Sequence, residues 1–341
     1  MADSFITKIA DGLENPAKAV NEAADILKSG QICAVPTETV YGLAANAYDD
    51  CVVEKIFKAK GRPQDNPLIC HISRLSMLDE IAKDIPDYAY KLAETFWSGP
   101  LSMVFKKTEK ISERVSGGLN TVAVRMPENA LTKDIISECG FPLAAPSANI
   151  SGRPSPTSAR DVYSDLNGKI PLIVDGGECG VGVESTVVDV TGSIPVLLRP
   201  GAITAAMIEE VAGKVKIHRG LKDFKETPPS PGMKYKHYAP NARVFTYIGE
   251  KNAVAKTIMA RYYLYKDKAA VICGIKNRDL FKGVRIIDLG EDRKSAQRRL
   301  FAALRQTDAL NLEAAFFYYE DYMGEAVYNR ITKASEKVIV L

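Results

Sequence analysis

The chain reads as an α/β protein: a large twisted mixed sheet, then a smaller three-layer, Rossmann-like domain. Three observations predict this. Short apolar runs alternate with amphipathic stretches over residues 1–217. The texture then changes to a Lys-, Pro- and Gly-rich segment over 218–241. From 242 to 341 a second series begins, with the order β-α-β-β-α-β-α.

Residues 16–29 set Val20, Ala23, Ala24 and Leu27 at helical spacing and stop at Gly30. A strand over 31–35 leads into Pro36-Thr-Glu-Thr-Val-Tyr-Gly42. A helix over 49–60 is followed by Gly61-Arg-Pro63, Asn66-Pro67 and a short strand over 68–72 that contains His71. A helix over 86–97 and a strand over 101–106 come next. Residues 121–126 alternate, so Thr121, Ala123 and Arg125 face one way and Val122, Val124 and Met126 the other. Strands over 142–146, 172–175, 186–190 and 196–198, interleaved with helices, and a helix over 204–213 complete the segment. Several strands adjoin through short turns, which predicts a mixed sheet. In the second series, strands are expected at 243–248, 269–273, 284–288 and 314–319. The helices there are expected at 251–264, 293–311 and 324–336.

The composition, 46% hydrophobic and 26% charged over 341 residues, is that of a globular protein with ample core. A net charge of +3 does not demand a nucleic-acid partner. No apolar stretch approaches bilayer length and no secretory signal is visible, so no membrane association and a cytoplasmic setting are expected. The six cysteines lack C-x-x-C spacing, which predicts reduced thiols and neither disulfides nor zinc. Walker, G-x-G-x-x-G, H-E-x-x-H and G-x-S-x-G signatures are all missing.

What remains is a set of arginine, hydroxyl and amide clusters at strand ends. Arg62-Pro63, Arg153-Pro154 and Arg199-Pro200 each fix an arginine before a proline, and Arg125-Met-Pro127 nearly repeats the device. Arginines held in this way suit phosphate or carboxylate. Ser147, Asn149, Ser151 and Ser155 line one loop, and Gly176 to Thr186 is a glycine-rich turn whose backbone can approach a ligand closely. Each cluster alone reads more readily as a polar turn or helix cap than as a site. Their gathering at the strand ends of one α/β sheet points to a ligand site. His71 reads either as a core histidine or as a site residue. Within 228–240, Met233, Tyr235, His237 and Tyr238 give the segment two readings, a plain linker or an ordered strap.

Pro36-Thr-Glu-Thr-Val-Tyr-Gly-Leu43, Lys60-Gly-Arg-Pro63 with Asn66-Pro-Leu68, Ser147-Ala-Asn149 and Glu184-Ser-Thr-Val-Val-Asp189 resemble the YrdC-like threonylcarbamoyl-adenylate synthases. Ser230-Pro-Gly-Met-Lys-Tyr-Lys-His-Tyr-Ala-Pro240 resembles the linker of their long, two-domain form. The likeness is dense over 20–240 and rests on size and element order beyond. It implies a YrdC-like catalytic domain over 1–217, a linker or lid over 218–241 and a Rossmann-like domain over 242–341. It further implies a nucleotidyltransferase that joins L-threonine, bicarbonate or CO2 and ATP with release of pyrophosphate. That product starts N6-threonylcarbamoyladenosine formation at position 37 of ANN-decoding tRNAs and passes to the transfer machinery.

By resemblance, threonine contacts fall to Thr39, His71, Arg125, Ala145 and Ser185, and ATP contacts to Arg62, Asn66, Thr121, Ser147, Asn149, Ser155, Arg199 and Tyr238. Lys60 and Arg62 would be the catalytic pair, stabilising charge at the α-phosphate with Arg199 and Mg2+. The metal ligands are left unassigned. One other reading is a non-catalytic double-stranded RNA or tRNA-binding module using the same cations on backbone phosphates, and weak RNA binding fits either case. Another is a carbamoyl-phosphate-dependent enzyme, whose acylphosphatase and zinc-finger segments this chain lacks.

Overall fold

The apolar runs of the first part become twelve strands of one sheet. A computed structural model describes residues 6–218 and 237–341 of the protein. In chain order the strands are β1 (Lys8–Asp11), β2 (Cys33–Val35), β3 (Gly42–Asn46), β4 (Ile69–His71), β5 (Ala82–Lys83) and β6 (Leu101–Lys107). They continue as β7 (Thr121–Arg125), β8 (Leu143–Ala144), β9 (Leu172–Asp175), β10 (Thr186–Asp189), β11 (Val196–Arg199) and β12 (Lys216–Ile217). They pair in the order β1-β9-β2-β3-β8-β4-β7-β6-β10-β11-β12, with β5 on β6. β4 and β7 are parallel, while β8 on one flank and β6 on the other run antiparallel to them, so the sheet is mixed as expected.

Helices cover this sheet with the faces that their spacing predicts. Helix Pro16–Lys28 buries Ala19, Val20, Ala23, Ala24 and Leu27 and packs on helix Ala130–Cys139. Helix Asp50–Lys60 begins where the Asp49 side chain accepts from the amides of Cys51 and Val52. It ends at Gly61, in the left-handed region at φ 62°. That stop puts Lys60 on the last helical turn and turns Arg62 into the following loop.

The second sheet holds β13 (Arg243–Ile248), β14 (Ala269–Cys273), β15 (Ile286–Asp288), β16 (Ala314–Tyr318) and β17 (Lys337–Val340), in the order β15-β14-β16-β13-β17. Every neighbouring pair is parallel. β14 and β16 are buried at every residue, the mark of a parallel strand covered on both faces. The expected element order therefore gains a final strand, β17, and a 3-10 stretch, Ile275–Phe281, between β14 and β15.

By its contacts the chain divides into two units. The first takes the described residues up to Ser151, Pro156–Gly180 and those from Glu184 to 218. The second takes Gly152–Ser155, Val181–Val183 and the described residues from 237 onward. The expected linker, 218–241, falls mostly outside the described residues, as does the segment over 228–240 that reads as linker or strap, apart from its last four residues. All six cysteines are free, and all but Cys51 are buried. Among the described residues no helix is long and apolar enough to cross a membrane.

A methyl group added at Gly61 would meet nothing within 4 Å, so the cost of replacing it is purely conformational. Gly61→Ala is expected to lower unfolding free energy by about 1 kcal/mol through the left-handed backbone alone. Urea titration of the two proteins checks this.

Candidate active site

The registers of adjacent strands decide which side chains share a face. β4 and β7 pair Ile69 with Ala123 and His71 with Arg125. β8 pairs Leu143 with His71, and the amide of Ala145 donates to the Ile69 carbonyl at 2.9 Å. β6 pairs Met103 with Val124, which sets Ser102 beside Arg125 one residue on. β10 pairs Val187 with Ser102 and with Arg199 of β11, so Ser185, two residues earlier, follows the same face. A single face of the sheet thus gathers Arg199, Ser185, Ser102, Arg125, Thr121, His71 and Ala145, six of them expected from the sequence.

Arg125 is the most constrained of these. Its side chain is 4% exposed. Nε donates to the Gly99 carbonyl at 3.1 Å and Nη1 to the Thr39 hydroxyl at 2.8 Å. Nη2 stands 2.5 Å from Glu38 Oε1. Thr39 is itself held by Thr37, whose Oγ1 lies 2.8 Å from that of Thr39 and donates to the Val40 carbonyl. Pro36 to Val40 therefore form a tight hydroxyl turn that presents Thr39 and Glu38 to the guanidinium.

His71 is buried, with Nδ1 3.2 Å from the Ile69 carbonyl. Burial, helped by the charge of Arg125, pushes its pKa from 6.5 down to about 3. It is accordingly a neutral imidazole with one N–H to donate, and the backbone carbonyls of Ile69 and Leu143 are its acceptors.

At the other end of the face, Ser185 Oγ lies 2.8 Å from Ser102 Oγ, both hydroxyls being buried. Arg199 grips the same residue twice: Nε donates to the Ser185 carbonyl at 3.0 Å and Nη2 to its Oγ at 3.1 Å. The turn after β11 comes so close that a Cβ at Gly201 would stand 2.4 Å from the Thr186 amide nitrogen.

Lys60 reaches across to the loop after β8. Its Nζ donates to the Asn149 carbonyl at 2.6 Å and to the Ser147 carbonyl, binding that loop to the helix end. Ser147 bridges to Gly42, so the loop also joins β3. Arg62 curls over its own loop, with Nη2 donating to the Asn66 and Pro67 carbonyls at 3.3 Å each. Asn66 is buried beneath it.

Ser155 and Tyr238 belong to the second unit, where the Tyr238 ring lies 5.2 Å from Phe301 and 5.6 Å from His237. Arg153 there pairs with Asp308 at 2.7 Å. The glycine-rich turn makes its close approaches to protein. A Cβ at Gly176 would collide with Pro36, and one at Gly182 with the backbone of Arg298.

Two residues of the site carry no role in the sequence analysis. Glu38 lies inside the Pro36–Gly42 motif, in the loop between β2 and β3, next to Thr39, which does. Ser102 is on β6, whose alternation with Met103 and Val104 carries the signal in principle. Among the described residues no group of three or more His, Cys, Asp or Glu could hold a metal ion.

Together the fold and the face give an α/β protein whose mixed sheet carries a buried cluster of arginine, serine and threonine side chains. Comparison with known proteins adds the family. A domain model described as Sua5–YciO–YrdC, telomere recombination, matches residues 25–201. The model of the threonylcarbamoyl-AMP synthase C-terminal domain matches 203–336. The threonylcarbamoyl-AMP synthase of Pyrococcus abyssi is 45% identical over 92% of this chain and 93% of its own. That of Bacillus subtilis is 41% identical over 97% of each. The solved structure of P. abyssi Sua5 complexed with L-threonine superposes at a TM-score of 0.91, with 42% identity, over 99% of this chain and 100% of that one. The chain belongs to the Sua5/YrdC family, in the long form that carries the C-terminal domain.

Because the folded value of His71 lies below its ordinary 6.5, the unfolded chain binds a proton between about pH 6.5 and 3 that the folded chain does not. Stability from this group is complete above 6.5 and is lost as pH falls through that window, by about 1.4 kcal/mol per pH unit at most. His71→Gln is expected to flatten the acid limb of stability by that one-proton slope, read from urea midpoints between pH 7 and 4.

Proposed function

We propose that this protein synthesises L-threonylcarbamoyl-adenylate from L-threonine, bicarbonate or CO2 and ATP, releasing pyrophosphate. The observation that carries the reading is near-full-length kinship with synthases of that name, in a chain whose sheet face gathers Arg125, His71, Ala145 and Ser185. In this reading Arg125 receives the threonine carboxylate as a charge-assisted partner, and neutral His71 and Ala145 line the pocket without adding charge. Ser185, oriented by Arg199 and Ser102, offers its hydroxyl to the carbamate end.

ATP would lie toward Arg62, Asn66, Thr121, Ser147 and Asn149. Lys60 fixes the carbonyls of the Ser147–Asn149 loop, so its charge sits beside the phosphates without a mobile side chain. Mg2+ would arrive on the phosphate oxygens of ATP and neutralise part of their charge. The protein's share is to anchor both substrates and to stabilise the charge that builds as pyrophosphate leaves.

The product is an activated threonylcarbamoyl group, which a transfer machinery would place on tRNA adenosine. The same reading assigns the protein to the cytoplasm, where that tRNA is modified. The burial of Lys60, Arg125 and Arg199 suits a small ligand better than a nucleic-acid backbone, so any RNA binding would be weak.

Incubation with ATP, Mg2+ and bicarbonate tests the reading, with pyrophosphate and nucleotide masses followed with and without L-threonine. Threonine-dependent pyrophosphate and a threonylcarbamoyl-adenylate mass are expected; threonine-independent release, or none, contradicts it. Arg125→Lys loses the planar fork while keeping the charge. It is expected to lower kcat/KM for threonine about 100-fold and leave KM for ATP within about threefold.

A further inference from the structure

The Glu38–Arg125 pair is close but badly aligned. Nη2 of Arg125 is 2.5 Å from Glu38 Oε1, yet it has no hydrogen-bond partner, and neither does either oxygen of Glu38. Both side chains are buried, at 4% and 9% exposure. Buried polar groups are ordinarily satisfied, and charged ones most of all. Here a donor and an acceptor of opposite charge stand side by side as an ion pair without a hydrogen bond, while Nε and Nη1 of the same guanidinium are hydrogen-bonded. A ligand that completes both must offer an anion and a cation a few ångströms apart, as the carboxylate and ammonium of an α-amino acid do. An added carboxylate alone would place two anions on one buried cation.

We propose that Glu38 binds the ammonium group of L-threonine through Oε2, beside the carboxylate on Arg125 Nη2, and accepts the ammonium proton to free the amine for carbamate formation. The assignment rests on the synthase activity proposed above. In the step, an N–H bond of the ammonium breaks and its proton passes to Oε2. The freed nitrogen lone pair forms the N–C bond to CO2 as one C=O pair moves onto oxygen. The nitrogen then releases a second proton to water, leaving the carbamate anion. Glu38 returns its proton to solvent when the site empties.

The groups facing Glu38 keep one charge state across the useful range. Arg125 is a cation. His71, whose pKa Arg125 helps to lower, is neutral above about 3. The Cys179 thiol is pushed up to about 12, first by burial and then by the charge of Glu38. A pH-dependent change in rate between about pH 6 and 9 that differs between wild type and a Glu38 variant therefore reports on the substrate's amine.

The test is threonine-dependent pyrophosphate release by the full-length protein and its Glu38→Gln and Glu38→Asp variants, from about pH 6 to 9. Glu38→Gln is expected to lose about 100-fold in kcat/KM for threonine near pH 7 and to regain activity by up to about tenfold per pH unit as threonine loses its proton in solution. Glu38→Asp is expected to keep the wild-type pH profile at reduced rate. A Glu38→Gln variant within about threefold of wild type, or one with a deficit constant with pH, overturns the assignment. A second measurement needs wild type alone: competition by 2,3-dihydroxybutanoate, which replaces the ammonium with a hydroxyl. It is expected to bind about 100-fold more weakly than L-threonine, and equal binding overturns the proposal. Wild type without threonine-dependent pyrophosphate would instead overturn the activity itself, and this assignment with it.

Discussion

The buried guanidinium of Arg125 is the constraint on which the site depends. A cation sealed from water needs compensation, and three different parts of the chain supply it: the Gly99 carbonyl, the Thr39 hydroxyl and the Glu38 carboxylate. Each donor or acceptor fixes a loop. Gly99 holds the turn into β6, and Thr39, tied to Thr37, holds the motif between β2 and β3. Removing either charge would strand the other, which costs more than the pair itself contributes. The loops are thus positioned by electrostatic need as much as by packing.

Around that point the mixed sheet works as a ruler. Strands β11, β10, β6, β7, β4 and β8 run side by side in registers that bring Arg199, Ser185, Ser102, Arg125, His71 and Ala145 onto one face. A slip of one residue in any pair would turn that strand's contribution to the opposite side. The apolar residues on the other face, such as Val122 and Val124, resist such a slip, because it would expose them. The result is an arrangement in which strand register fixes the polar side chains of one face relative to one another.

Much of this was legible in the sequence, for physical reasons that can be named. The alternation of residues 121–126 placed Thr121 and Arg125 on one face, and helix Pro16–Lys28 buries the residues its spacing assigned. Strand β3 was not legible: Gly42-Leu-Ala-Ala-Asn46 is buried along most of its length and rich in small residues, so it shows neither alternation nor β preference. The edge strand β17 gave too short a signal at the chain's end. Glu38 was in view within its motif, but its role follows from a pairing with a residue 87 positions on, which local pattern does not encode. The same holds for Ser155 and Tyr238, whose membership of the second unit comes from contacts with distant helices and loops. The motif holding Lys60 and Arg62 points to a pair that stabilises charge at the α-phosphate. What local sequence could not convey is that both first secure loop carbonyls, which is how their charges are held in place.

In the proposed reaction, recognition of threonine rests on its carboxylate reaching Arg125. Calorimetric titration of the protein with L-threonine and with L-threoninol, which keeps the side chain and the ammonium but replaces the carboxylate with an alcohol, tests it most directly. Threoninol is expected to bind at least about 100-fold more weakly, the loss of one buried charge-assisted contact. Equal affinity for the two would contradict it.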